Sequence, residues 1–227
     1  KGRNGYAWSE VHWSKVPGRD AKWKETTIAN TSERQFTQEF ECEFLGSVDT
    51  LITAAKLRTL TYDDPITTNG SLDVYENPIP DHDYIICVDV SRGLAQDYSA
   101  FVVIDITRAP WQLVAKYRDK NVRPMLFPNI IYNVATNYNN AYVLTEVNDI
   151  GEAVAGSLFY DIEYENVLMC AMRGRAGQIV GQGFSGNKTQ MGVKMSKTVK
   201  AQGCSNLKTL IEDDKLLVKD YNIVSEL

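Results

Sequence analysis

From Tyr84 onward the chain alternates between short apolar runs and segments that are apolar on one side only. YIICVDV (84–90), SAFVVIDI (99–106) and WQLVAKYR (111–118) have strand length and are separated by polar loops. They predict three successive strands, the first two so apolar that they read as central strands covered on both faces. Pro128 then opens a helix that places Ile130, Ile131, Val134 and Tyr138 on one face. AYVLTEV (141–147) returns to strand. Ile150, Val154 and Leu158, one turn apart, predict a second helix, and NVLMC (166–170) a short strand. A glycine-rich stretch, 173–192, reads as a long loop or hairpin, followed by a helix over about 205–213 and a strand over 215–219. Three strands, then helix, strand, helix, strand, is an α/β order with a mixed central sheet flanked by helices.

The first third of the chain is patterned differently. Residues 1–46 carry three of the four tryptophans (Trp8, Trp13, Trp23) amid many polar residues. SERQFTQEFECEFLGS contains a helix signal: Ser32 with Gln35 resembles a capping box, and Phe36 and Phe40 lie one turn apart. Residues 47–83 read as a connector, helical over Leu51–Leu60 and then a loop rich in Asp, Asn and Pro. The pattern places a domain boundary near 76–83. The N-terminus, KGRNGYAWSE, has no apolar core and no initiator Met, so it reads as the cut edge of a longer protein rather than a signal peptide. No apolar run approaches the roughly 18 residues of a membrane span, which argues against a membrane partner.

Composition narrows the chemistry. Cys42, Cys87, Cys170 and Cys204 form no Cys-x-x-Cys pair, a reduced intracellular pattern rather than a disulfide framework or zinc site. With only His12 and His82 present, any metal is expected on oxygen ligands. The net charge of −5 argues at first against a polyanionic partner. Its distribution reverses that. Residues 171–208 hold Arg173, Arg175, Lys188, Lys194, Lys197, Lys200 and Lys208 and no acid, so this stretch is +7 and the rest of the chain −12. A segregated basic run of this kind contacts phosphates without reading sequence.

Two acids stand out because they end apolar strands, Asp89 after YIICV and Glu146 after AYVLT. In open α/β sheets ligands bind beyond the carboxyl ends of strands. Two carboxylates brought together there repel, and a divalent cation resolves the repulsion. The alternative is that both cap turns or pair with Arg92 and Lys116. Asp97, in GLAQDYS, reads as a turn acid or an outer ligand. Asp149-x-x-Glu152 fits a helix N-cap with its capping-box partner. GQGFSGNKT (181–189) is similar to a phosphate-binding loop, but Asn187 separates the glycine from Lys188 and no convincing helix follows.

CVDVSRGLAQDYSAFVVID, VLTEVNDIGEAVA and GCSNLKTLIEDDKLLV resemble the nuclease domain of the large terminase of T-even-type tailed phages. QFTQEFECEFLGSVDTLI resembles the segment that joins this nuclease to the packaging ATPase. The resemblance implies an RNase H-like fold and a metal-dependent endonuclease that cuts concatemeric viral double-stranded DNA. It implies one or two Mg²⁺ or Mn²⁺ ions held by Asp89 and Glu146 as catalytic ligands, with Asp97 beside them. Arg173, Arg175, Lys188, Lys194, Lys197 and Lys200 would grip DNA. It divides the chain into 1–46, the end of the ATPase; 47–83, a connector; and 84–227, the nuclease. It further implies a portal protein and a small terminase subunit as partners, a monomeric isolated domain that oligomerises in the motor, and the host cytoplasm as location. The family's third aspartate lies on a late helix, and the sequence to Leu227 shows no match for it. Asp213 and Asp214 end a helix ahead of LLVK, the wrong place. Two other readings stay open. One is a DNA-binding or motor-docking module with an incomplete site. The other is an actin-like or sugar-kinase ATP-binding domain, suggested by Asp-Val-Ser-Arg-Gly after the first strand.

Overall fold

The computed structural model describes residues 11–31, 36, 40, 51–94, 97–172, 176–180 and 189–227. The chain forms two compact units, 1–58 and 59–227. In the first, Asp20 caps helix α1 (Ala21–Asn30) by accepting from the Trp23 amide at 2.8 Å, and Thr53 caps the short helix α2 (Ala54–Leu57). Trp13, Trp23, Phe36 and Phe40 pack ring against ring, with the Phe36 and Phe40 centroids 5.4 Å apart. The Phe40 amide donates to the Phe36 carbonyl at 2.9 Å, the one-turn step that the sequence predicts. Ser32, Gln35 and Cys42 lie outside the described residues.

The second unit is built on a seven-stranded sheet. The strands are β1 (Thr67–Asn69), β2 (Leu72–Val74), β3 (Tyr84–Asp89), β4 (Ser99–Asp105), β5 (Trp111–Asp119) and β6 (Tyr142–Thr145), in the order β1-β2-β5-β4-β3-β6. β3, β4 and β5 form an antiparallel meander, and β6 returns parallel to β3. A three-stranded sheet stands beside it, β7 (Met169–Ala171) between β8 (Ile179–Val180) and β9 (Thr189–Met191). β10 (Leu216–Leu217) pairs parallel with the start of β5. The sheet bears out the mixed α/β expectation, with three consecutive strands and then a helix and a strand, which pairs parallel with β3.

Period-two alternation sends Tyr84, Ile86 and Val88 of β3 into a core under helix α3 (Phe127–Asn137), where Ile131, Val134, Ala135 and Phe127 are buried. Leu158, from the π-helical turn Ser157–Asp161 that continues helix α4 (Gly151–Gly156), closes the same core. Each fully buried aliphatic or aromatic side chain here contributes roughly 1.5–3 kcal/mol.

Three expectations need correction. First, residues 67–74, placed in the connector by the sequence, form a hairpin. β2 pairs antiparallel with β5, Leu72 against Tyr117, so the second unit begins at Thr59. The missed signal is Gly70-Ser71, the two-residue loop between the paired Asn69 and Leu72, with Gly70 at φ 60° in its first position. Second, helix α5 runs Lys197–Glu212, starting well before the expected position near 205, with Ser196 accepting from the Val199 amide at 3.2 Å. Only Ile211 of this helix is buried, so apolar periodicity could not mark its start. Third, Asp149 is not a cap. Its backbone is left-handed (φ 55°) rather than extended, and helix α4 has no side-chain cap.

Candidate active site

β3 and β6 run side by side in the same direction, with Val88 in register with Thr145. The Glu146 amide donates to the Val88 carbonyl at 2.8 Å, one of the bonds of that Val88–Thr145 pair, and the next residue on each strand is Asp89 and Glu146. Asp89 and Glu146 are therefore neighbours across a parallel pair, on strands about 4.8 Å apart. Alternation puts both side chains on the face opposite the α3 core, in line with Cys87 and Leu144. The register brings the two strand-ending acids to the same end of the sheet.

The charge of Asp89 bears on Glu146, and that of Asp97 bears on Asp89. Loss of hydration at the sheet end, and then the charge of Asp97, hold the Asp89 carboxyl above its ordinary value, although the Val90 amide partly offsets this. Loss of hydration, and then the charge of Asp89, raise Glu146, while Lys200 pulls it back down. Neither acid takes the cations that the alternative reading offered. Arg92 donates to both oxygens of Asp149, at 2.7 and 3.0 Å. Lys116 is buried against Asp220 and also reaches Asp73 at 3.3 Å. Asp97 lies in the loop between β3 and β4. It accepts from the adjacent Tyr98 amide at 2.8 Å, as a turn acid does, and its charge bears on Asp89. With Val90, Ser91, Arg92, Leu94 and Asp149 it lines a cavity of about 250 Å³ beside the strand ends.

The donors suit a hard divalent cation. They are carboxylate oxygens whose mutual repulsion such an ion would relieve. The Cys87 thiol on the same face is pushed up to about 11 by burial, so it stays neutral and offers no thiolate. Among the described residues, no three His, Cys, Asp or Glu side chains converge into a ready-made cage.

Three residues that the sequence pattern did not single out shape the site. A Cβ on Gly151 would fall 1.9 Å from the Glu146 carbonyl oxygen, and one on Gly192 would fall 2.2 Å from that of Thr145. Both glycines let the chain fold tightly against the end of β6, where Glu146 bridges to Val193. Asn148 donates to Glu146 Oε1 at 3.0 Å. A glycine shortly after a strand-ending acid is a legible signal; nothing in the spacing marks Asn148.

Of the basic residues expected to hold DNA, Lys194, Lys197 and Lys200 are exposed, the last two on the opening turns of α5. Arg173, Arg175 and Lys188 lie outside the described residues, as does most of GQGFSGNKT. On the same sheet face, Asp89 is in register with Ala100 and Ala100 with Arg118. Arg118 stacks over Tyr98 at 4.1 Å and meets Glu226 of helix α6 (Tyr221–Glu226) at 3.6 Å.

Comparison with known proteins agrees with this geometry. The chain is 26% identical over 221 residues to the large terminase subunit of Thermus phage G20c, which covers 95% of this chain and 38% of that protein. The chain thus spans well under half the length of this relative. The crystal structure of the large terminase nuclease from phage G20c with bound cobalt superposes with a TM-score of 0.58 at 26% identity, covering 80% of each chain. The large terminase nuclease domain of Thermus phage P74-26 gives 0.53 at 28% identity, covering 76% of this chain and 74% of that one. The family model described as "Terminase RNaseH-like domain" matches residues 86–226, a span that takes in both strand-ending acids. Family membership sets aside the kinase-like alternative: this chain belongs to the terminase RNaseH-like domains.

Proposed function

We propose that residues 59–227 are a divalent-metal-dependent endonuclease that cuts concatemeric viral double-stranded DNA during packaging. The observation that carries this reading is the placement of Asp89 and Glu146 just beyond the Val88–Thr145 pair of β3 and β6, with each carboxyl raised by its surroundings. The relatives are large terminases, and one homologous nuclease was solved with bound cobalt. Mg²⁺ or Mn²⁺ held by Asp89 and Glu146, with Asp97 at the margin, would activate water and stabilise charge on the phosphodiester. Asp89 would sit between the other two acids and carry most of the ligation. Glu146 would orient the incoming water with the oxygen that Asn148 leaves free. Lys194, Lys197 and Lys200 would bind the DNA backbone, together with Arg173, Arg175 and Lys188.

We read 1–46 as part of the packaging ATPase and 47–58 as the join to the nuclease, with the portal and small terminase as partners and the host cytoplasm as location. The stretches around Asp89 and Glu146 favour a T-even-type subclass, although the matched relatives come from Thermus phages.

Plasmid nicking in Mg²⁺ and in Mn²⁺, beside Glu146→Gln and Asp89→Asn, tests the proposal. Cleavage by the native chain, lost in both variants, is the expected result. The lack of a three-acid cage among the described residues favours one rival, a DNA-binding module without cleavage. Salt-sensitive DNA binding with no nicking under any metal would establish that rival.

A further inference from the structure

Asn148 sits between the acid pair and the basic helix, and each polar atom of its side chain is used. Nδ2 donates to Glu146 Oε1 at 3.0 Å and to the Met195 carbonyl at 3.1 Å. Oδ1 accepts from the Met195 amide at 3.1 Å. Met195 directly precedes Ser196, the N-cap of α5, whose opening turns carry Lys197 and Lys200. The side chain is only partly buried, so the bonds are not forced on it by exclusion from water. The backbone on both sides is pinned. Val147 donates to the Val193 carbonyl at 2.9 Å and Val193 to the Thr145 carbonyl at 2.8 Å, and Gly192 is pressed against Thr145. Asn148 is thus one rigid amide spanning two chain segments 47 residues apart, with one arm on a metal-site carboxylate and two on the entry to a basic helix.

We infer that Asn148 is a positioning residue that couples the acid pair to the start of α5, so that loading a divalent cation on Glu146 stiffens the entry to the helix that presents Lys197 and Lys200. The physical argument is one of orientation. With Oε1 committed to Asn148, the Glu146 carboxyl has one preferred rotation and offers Oε2 outward. Outer partners of this kind commonly change metal affinity about 10–100-fold. Fixing Glu146 by a cation fixes the amide that touches it, and that amide also holds both backbone groups of Met195. The charge of Lys200 already reaches Glu146.

The inference rests on the metal reading above, and the test separates the two. Manganese binding to the full chain is measured by calorimetry. Amide exchange across 193–200 is then followed with and without Mn²⁺. In the native chain Mn²⁺ should slow exchange at Met195 and the first turn of α5. Asn148→Ala should weaken Mn²⁺ binding about tenfold and abolish that response. Asn148→Asp keeps an acceptor for the Met195 amide but loses the donor to Glu146 and to the Met195 carbonyl. It should retain native protection at Met195 without metal and lose the response to Mn²⁺. A Mn²⁺ response that survives in Asn148→Asp overturns the coupling while leaving the nuclease reading intact, as does unchanged affinity in Asn148→Ala. Failure of the native chain to bind Mn²⁺ at all overturns both.

Discussion

At the scale of single residues, the site turns on two carboxyls that hold protons more tightly than usual. Under the proposed function, protons would therefore compete with a cation for Asp89 and Glu146. Mn²⁺ affinity should rise with pH through and somewhat above the ordinary carboxylate range, and flatten once both acids are ionised. Calorimetric titration at several pH values checks this; a profile that stays flat across the carboxylate range would contradict it. Asp220 has the opposite sign. Burial alone would raise it, but hydrogen bonds from Lys116, Tyr75 and the Ile223 amide bring it below its ordinary value. Its contribution to stability is complete above the unfolded carboxylate pKa and is lost as pH falls through the lowered folded value. Denaturant melts of the native chain and Asp220→Asn should differ at neutral pH and converge in strong acid.

At the scale of elements, Lys116 on β5 and Asp220 at the cap of α6 hold the terminal helix over the site's face of the sheet. Removing one partner of a buried pair leaves a stranded charge. Lys116→Met should therefore cost about 3–5 kcal/mol in urea denaturation, and adding Asp220→Leu should recover part of that. The two glycines at the end of β6 act more locally. Gly151→Ala drives a methyl group into the Glu146 carbonyl, so it should reduce metal-dependent nicking and thermal stability together. What the sequence revealed and what it hid divides along these lines. β3, β4, β5 and β6 were legible because one buried and one half-buried face together write nearly continuous apolar runs, and Asp89 and Glu146 because each interrupts one. The start of α5 was hidden because a solvated helix needs no apolar stripe. Asn148, the Lys116–Asp220 pair and the partnership of Arg92 with Asp149 were hidden because they join segments far apart in sequence.

At the scale of the whole molecule, affinity for DNA should follow the segregation of charge rather than the net value. Removing one phosphate-binding cation should shallow the dependence of log K on log salt by about 0.9. Lys197→Ala and Lys200→Ala, measured by fluorescence anisotropy over roughly 50 to 200 mM salt, should each lower the slope by about that amount. Unchanged slopes would move the DNA track away from α5. The outer edge of β5 has a different consequence. It is filled by two pieces of chain: β2 covers residues 115–117, and β10 covers 111–112. Val74 and Leu216 lie far apart in the chain, yet both have β5 as a neighbour. During synthesis the first piece is available as soon as β5 emerges, and the second only after everything from Lys120 to Lys215 has been made. At the roughly 5–20 residues per second of translation, the beginning of β5 stays an open hydrogen-bonding edge for several seconds. That edge is the nascent chain's point of exposure to strand-to-strand association.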